Sequence, residues 1–364
     1  MQGKSKAISE RLRQEILSGK FDATRKLPSD RMLMRRFAVA RATVQAAMKD
    51  LLDKRLIDRK PGYGTFLVER AEVAAARKFG VIMPDAYYSF YSRICRGIEL
   101  AAKKQGWALL SAALGSGGMR ERALRAVEFA EVCKRERVSG VFFQPLQFLK
   151  DSERFNRTIL KVFRDAKIPV VLLDSDFVAS PSRSEYDLVG VDNTNVGYAL
   201  AQHVIAAGAK RLIYFSNPLP APASLKRGTG VGVAVTEAGL RWTKDRVFFA
   251  DPEDTRAAER LFRSAKRPDA IIAVNDYIAA KLLKTLKAIG KRVPEDVLLA
   301  GVNGDPVADE SDPPLTTMAQ PCERIGEAAV HLMFQRLADP DLPPRTIQLS
   351  AQLKERVSTR RQKK

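Results

Sequence analysis

The sequence is poor in the residues that most metal and catalytic sites draw on. Its 364 residues include two histidines and three cysteines. His203 and His331 are far apart, so neither a zinc cluster nor a Ser-His-Asp triad has much to build from. Cys95, Cys133 and Cys322 are widely spaced, odd in number and without a C-x-x-C pair. That pattern fits reduced thiols and argues against a disulfide framework. The opening run MQGKSKAISERLRQ has no apolar signal core, and no stretch approaches the roughly 18 apolar residues of a membrane span. A cytoplasmic protein is expected, with no membrane partner, no metal and no cofactor. Acidic residues are scarce beside basic ones, 42 against 62, for a net charge of +20. Such an excess suggests a polyanionic partner, either nucleic acid or an anionic membrane surface. Hydrophobic residues make up 45% of the chain, which fits a folded protein long enough for two or three domains.

The basic residues concentrate at the start. Residues 1–70 hold 17 Lys/Arg against 8 Asp/Glu, a net +9. In AISERLRQEIL, Ile8, Leu12, Ile16 and Leu17 share a helical face, with Gly19 as a stop signal. LPSDRMLMRRF begins a second helix with Ser29 as N-cap and Leu33 and Phe37 inward. ARATVQAAMKDLL is a third, with Val44, Ala47, Met48 and Leu51 as its apolar stripe. LIDRKPGYGTFLV reads as a hairpin around a Gly62-Tyr63-Gly64 tip. Three short helices and a hairpin make a winged helix-turn-helix over residues 1–68, followed by a charged, Ala-rich linker over 69–78.

On the third helix Arg41, Ala42, Gln45 and Lys49 face outward. An arginine can read guanine and a glutamine adenine in the major groove, each worth about 1–3 kcal/mol of discrimination. Thr43, Arg31 and Arg36 suit phosphates, which position the domain without specifying sequence. The Gly62/Gly64 tip would let the wing backbone, with Tyr63, approach the flanking groove. A solvated helix face explains the third helix alone equally well; the whole unit favours DNA. The stretch ISERLRQEIL…KLPSDRMLMRRFAVARATVQAAMKDLLDKRLIDRKPGYGTFL resembles the N-terminal domain of GntR-family transcription regulators. That resemblance implies DNA contacts at Arg31, Arg41 and Thr43, with Gly62 in the wing. Two positions depart from the family. Ala40 stands where a capping Ser is usual, and Gln45 where a second arginine is usual.

From Phe79 onward, short apolar runs alternate with helical segments, as in KFGVIM then SRICRGIELAAKKQG, or PDAIIAV then YIAAKLLKTLKAIG. Repeated βα units imply doubly wound parallel sheets, and the length suggests two lobes with a cleft between them. The blocks IPVVLLDSD, VDNTNVGYALAQHVIAAGAKRLIYF, PDAIIAVNDYIAAKLLKTLKAIGKRVPEDVLLAGVNG and LTTMAQPCERIGEAAVHLM resemble the sugar-sensing core of LacI/GalR regulators. A GntR-type head on such a core resembles the arabinose-repressor class. The implied fold is a multidomain chain: a winged helix-turn-helix (α+β), then an α/β periplasmic-binding-protein-like (type I) domain over 79–359. The expected first lobe takes about 79–190 and 320–340, the second about 191–319 and 344–358. Residues 360–364, RRQKK, read as a frayed basic tail.

By resemblance, Phe90 (or Tyr91) would lie against a sugar ring, and Asp174, Arg227, Asn275, Asn303 and Gln320 would line the ligand site. A buried sugar hydroxyl needs a polar partner, and carboxyl ends of strands are where such sheets place ligands. A lone Asp or Asn after a strand is also an ordinary helix cap. Asn303 departs from the family's usual Asp, which suggests a different sugar, or a phosphorylated or acidic ligand. The run R-G-T-G-V-G at 227–232 does not directly follow a strand, so close packing of a helix start is expected there rather than a phosphate cradle. The expected function is a DNA-binding regulator, read as a repressor, that acts as a homodimer on a near-palindromic double-stranded operator under control of a small-molecule sugar or sugar derivative. The alternative is a constitutive DNA-binding protein with a degenerate cleft. An enzyme would need a nucleophile and base, a metal cluster or a phosphate loop, and none stands out.

Overall fold

The computed structural model describes residues 2–17, 21, 24, 26–54, 56–60, 63–68, 77–83, 89–112, 114, 117–179, 181–263 and 267–361. The chain divides into two compact units, 1–78 and 79–364. Gly19, Gly62 and most of the expected linker, 69–76, lie outside the described residues.

The first unit is three helices and a hairpin: α1 (Gln2–Leu17), α2 (Asp30–Phe37), α3 (Arg41–Asp53), β1 (Ile57–Lys60) and β2 (Gly64–Leu67). Ile8, Leu12, Leu33, Val44, Ala47, Met48 and Leu51 form its core with Leu27, Leu56 and Ile57. Ser29 caps α2 as expected, accepting from the Met32 N–H at 3.4 Å. Ala38 then ends that helix in a left-handed conformation, φ 50°. Ala40 precedes α3 in an extended conformation and supplies no side-chain cap. The wing strands are antiparallel, with Ile57 opposite Leu67 and Lys60 opposite Gly64.

The second unit holds two six-stranded sheets. The first comprises β3 (Lys78–Ile82), β4 (Ala108–Ser111), β5 (Gly140–Phe143), β6 (Val170–Asp174), β7 (Asp187–Val191) and one late strand. Lys78, expected in the linker, already lies in β3. The second comprises β8 (Leu212–Ser216), β9 (Val247–Phe249), β10 (Ala270–Ala273), β11 (Leu298–Asn303), β12 (Thr316–Ala319) and another late strand. Every residue of β5, β6, β10 and β11 is buried, as parallel strands covered on both faces must be. Helices α4 (Ser89–Lys104), α5 (Met119–Arg135) and α6 (Ser152–Asp165) belong to the first lobe. They are followed by α7 (Asn193–Ala206), α8 (Pro222–Glu237), α9 (Thr255–Arg263), α10 (Asp276–Ala288), α11 (Pro306–Glu310) and α12 (Cys322–Ala338).

The late strands correct the expected lobe limits. Strand β13 (Thr346–Leu349), assigned by sequence to the second lobe, runs parallel to β7 in the first. The cause is local. Asp187 at the head of β7 is buried, ion-paired with Arg336 at 3.0 Å and accepting the Arg345 N–H at 2.8 Å. That carboxylate pins the chain just before β13. Strand β14 (Gln352–Lys354) then joins β12, antiparallel, in the second lobe. The chain therefore passes between lobes three times: between β7 and α7, between β12 and α12, and between β13 and β14. The expected frayed tail is also anchored at its start. Arg360 Nε donates to Glu355 at 2.9 Å and Arg361 Nη2 to the Asp269 carbonyl at 3.1 Å.

Two helix crossings are built alike, α4 on α12 and α7 on α8. A Cβ on Gly97 would overlap the Glu323 carbonyl, and one on Gly326 the Ile94 carbonyl. Likewise, a Cβ on Gly197 would overlap the Arg227 carbonyl, and one on Gly230 the Thr194 carbonyl. The glycines of R-G-T-G-V-G thus lie inside α8 and serve packing.

Candidate functional site

In the winged unit the apolar stripe of α3 turns inward, which leaves Arg41, Gln45 and Lys49 exposed at four-residue spacing along one face. Thr43 is half-buried and Arg31 on α2 is exposed. Tyr63, 74% exposed, stands at the hairpin tip. Charge pairing sorts the cations. Arg36, expected at a phosphate, is held by both carboxylate oxygens of Glu15, one at 2.8 Å. Its charge is therefore partly neutralised from within. Arg59 is bound to Asp30 at 2.6 Å and Lys54 to Asp50 at 2.8 Å. Arg31, Arg41 and Lys49 have no ion-pair partner among the described residues.

In the second unit a cavity of about 620 Å³ lies between the lobes. Six of the seven expected ligand residues line it: Phe90, Tyr91, Asp174, Arg227, Asn275 and Asn303. Phe90 and Tyr91 open α4 and meet edge to face, ring centroids 4.8 Å apart. Tyr91 Oη accepts from Gln144 at 3.2 Å. Asp174 ends β6 with φ 68°, a conformation non-glycine residues seldom take. It is buried, and its Oδ1 has no hydrogen-bond partner among the described residues. Burial pushes its carboxyl up to about 6, although the Arg227 charge pulls the other way. Arg227 reaches the cleft from α8, braced through Nε to Asn193 Oδ1 and through Nη1 to the Val274 carbonyl, both at 2.7 Å. Asn275 has two roles: its Oδ1 caps α10 by accepting from Ile278 N at 2.9 Å, and it still faces the cavity.

Asn303 and Gln320 differ from expectation. Asn303 lines the cavity, yet its amide is engaged at both ends: Nδ2 donates to Asp305 at 3.1 Å and Oδ1 accepts from Gln320 at 2.9 Å. Gln320 is buried behind Asn303 rather than on the cavity wall. Behind the same wall Arg93, from α4 of the first lobe, donates to the Asn303 carbonyl at 3.1 Å and pairs with Asp305 at 3.4 Å. Asp305 in turn donates its N–H to Asp276 Oδ2 at 2.8 Å. Asp276 is fully buried, and burial pushes its carboxyl up to about 7. Arg93, Asp276 and Asp305 were not singled out from sequence, nor were Gln147 and Phe148 after β5 or Leu219 after β8, which also line the cavity. Their place beyond the carboxyl ends of strands was the available signal.

No group of three or more His, Cys, Asp or Glu among the described residues is arranged to hold a metal ion. No helix among them is long and apolar enough to cross a membrane.

Known proteins share both units. Residues 4–67 match the family model for bacterial regulatory proteins of the gntR family, and residues 201–359 that of the periplasmic binding protein-like domain. The HTH-type transcriptional repressor PurR of Vibrio atlanticus (strain LGP32) is 26% identical over 287 residues, covering 78% of this chain and 81% of that protein. Among solved structures, the transcriptional regulator CelR–cellobiose complex superposes with a TM-score of 0.65 at 23% identity, covering 88% of this chain and 91% of that one. A LacI family transcriptional regulator from Enterococcus faecium with bound ribose gives 0.61 at 22% identity, covering 77% and 98%. At these identities the two structures establish the fold alone.

Proposed function

This chain is a LacI/GalR- and PurR-like transcription regulator with a GntR-type winged head, and from that premise we propose that a sugar between its two lobes sets how tightly paired heads hold a near-palindromic operator. The family is one of DNA-binding proteins without catalysis.

The observation that carries this reading is the convergence of Phe90, Tyr91 and Asp174 from one lobe with Arg227, Asn275 and Asn303 from the other on a single cavity. Phe90 offers a ring to the apolar face of a sugar. Asp174 has an unpartnered buried oxygen that accepts from a hydroxyl. Arg227, fixed at two nitrogens, makes no hydrogen bond through Nη2 to the described residues, so that nitrogen serves a ligand oxygen. A ligand touching both lobes favours one lobe angle over another. DNA that favours a different angle is then released, by linkage. In the head, Arg41 and Gln45 read base edges, Arg31, Thr43 and Lys49 hold phosphates, and Gly62 and Tyr63 carry the wing to the neighbouring groove. Two heads in a homodimer would give the operator its two-fold symmetry.

A thermal-shift screen of monosaccharides, sugar acids and sugar phosphates, followed by DNA release with each hit, tests the reading. Arg227→Ala is expected to abolish the ligand response and leave DNA binding intact; release that persists in this variant would count against the cleft assignment. A second reading, constitutive DNA binding with a degenerate cleft, is favoured by the internal engagement of Asn303. Calorimetry with the same panel separates the two, since a degenerate cleft gives no heat with any member.

A further inference from the structure

Lys26 and Lys60, in the winged unit, are exposed, and neither has an ion-pair partner among the described residues. Both are seated on one ring. Lys26 Nζ lies 5.4 Å from the centre of the Phe66 ring and Lys60 Nζ 5.8 Å from it. Ammonium groups at such distances are attracted to the ring face. Phe66 itself is half-buried and belongs to no hydrophobic core cluster of the described residues. Its ring therefore supports the lysines rather than the core.

The backbone fixes both stems. Lys26 forms an antiparallel bridge with Phe66, and the Leu27 N–H donates to the Thr65 carbonyl at 2.9 Å. The chain before α2 thus runs beside the hairpin. From there the Lys26 side chain crosses the start of β2. Gly64, φ 114°, leaves room for it, since a Cβ at that position would stand 2.7 Å from Lys26 Cε. Lys60 is opposite Gly64 and shares a face of β1 with Asp58, which is opposite Phe66. Asp58 is exposed and forms no ion pair among the described residues. Arg59, between them, points to the other face and is held by Asp30 at 2.6 Å. The strand thus separates a cation used inside the unit from a cation left open outside it. Two like charges gathered on one ring repel each other, and an anion set between them removes that cost.

We infer that Lys26 and Lys60, seated on Phe66, form a clamp for the phosphate backbone of duplex DNA beside the wing tip. This rests on the operator-binding reading above. A lysine ammonium is a compact charge with three donors, which suits phosphate oxygens and reads no base. The occupant is DNA rather than an acidic protein segment because the same compact unit carries Arg31, Arg41 and Lys49, likewise without ion pairs among the described residues. The clamp adds affinity on any sequence, while Arg41 and Gln45 choose among sequences.

Binding of the full chain to a mixed-sequence duplex, titrated over a range of salt, tests the inference. Each phosphate contact contributes about 0.9 to the slope of log affinity against log salt. Lys26→Gln and Lys60→Gln should each lower that slope by about one and weaken binding roughly five- to tenfold near 0.1 M salt. Lys54→Gln removes a lysine already paired with Asp50 and should leave the slope unchanged. Phe66→Leu keeps both lysines and removes the ring face, so it should weaken binding several-fold, whereas Phe66→Tyr should bind as the parent does. For duplexes that the parent selects from a random pool, the preference over mixed sequence should be equal in parent and variants. The clamp is overturned if the Lys26→Gln, Lys60→Gln double variant keeps the parent slope, if Lys54→Gln lowers the slope as much, if Phe66→Leu binds like the parent, or if the preference among sequences falls. Operator binding stands in each of those cases. If the parent shows no salt-sensitive binding to any duplex, both fall.

Discussion

Asp174 shows what a buried carboxyl in a cavity wall costs the fold that carries it. Its carboxyl is raised from 3.8 to about 6 by burial. Between those values the unfolded chain has released its proton and the folded chain still holds it. Stability therefore falls as pH rises through this window, by about 3 kcal/mol in all, and stays low above it. Asp174→Asn removes the ionisation. Urea unfolding should find the variant more stable than the parent at pH 8, with the difference fading as pH falls from 6 toward 4. Equal pH dependence in both would show that Asp174 is not the group responsible. At the same scale, Arg41 is exposed and free of internal ion pairs among the described residues. Arg41→Ala should weaken specific operator binding by about 1–3 kcal/mol and relax the base preference at one position. Footprints identical to the parent's would exclude a base-reading role. Such local features were legible in the sequence, since caps and inward stripes depend on near neighbours. The Ser29 cap and the Val44–Met48–Leu51 stripe are examples. The Arg36–Glu15 pair was not, because it joins residues on different helices.

At the scale of elements, α3 lacks a side-chain cap because Ala40 has no oxygen to offer the first N–H groups. Its extended backbone, φ −67° and ψ 156°, already suits a serine there. Ala40→Ser should stabilise the winged unit by about 1 kcal/mol, read as a higher midpoint for its unfolding transition. No gain would mean that α3 is capped by other means. The paired helix crossings carry an opposite expectation. Gly230→Ala would drive a methyl group into the Thr194 carbonyl and force α7 and α8 apart. Overpacking of this kind costs about 1–3 kcal/mol, measurable as a lower urea midpoint for the 79–364 domain. The alternation of strands and helices was readable because each element carries its own period. The lobe of β13 was not. It depends on one buried carboxylate, Asp187, meeting Arg336 and the Arg345 N–H, more than 140 residues later in the chain. Loop residues such as Phe148 and Leu219 escaped for a related reason, as neither period nor propensity marks them.

For the whole molecule, the two lobes touch each other directly. Arg93 and Asp305 meet behind the cleft, next to Phe90 and Tyr91 on one side and Asn303 on the other. Asp305 has no exposed side-chain surface, so removing Arg93 would leave a buried charge short of a partner. Arg93→Met should broaden the inter-lobe distance distribution measured with spin labels on the two lobes. The Arg93→Asp, Asp305→Arg exchange should narrow it again if the pairing rather than either residue matters. The parent distribution in the single variant would rule out a bracing role.

The three passages of chain between the lobes constrain what any signal can be. Bodies joined at one point can swivel freely, and bodies joined at two can still twist about the line between them. A third tie, with only Ser350 and Ala351 separating β13 from β14, leaves little slack even in that twist. A filled cavity and an empty one can then differ by little more than one angle between the lobes.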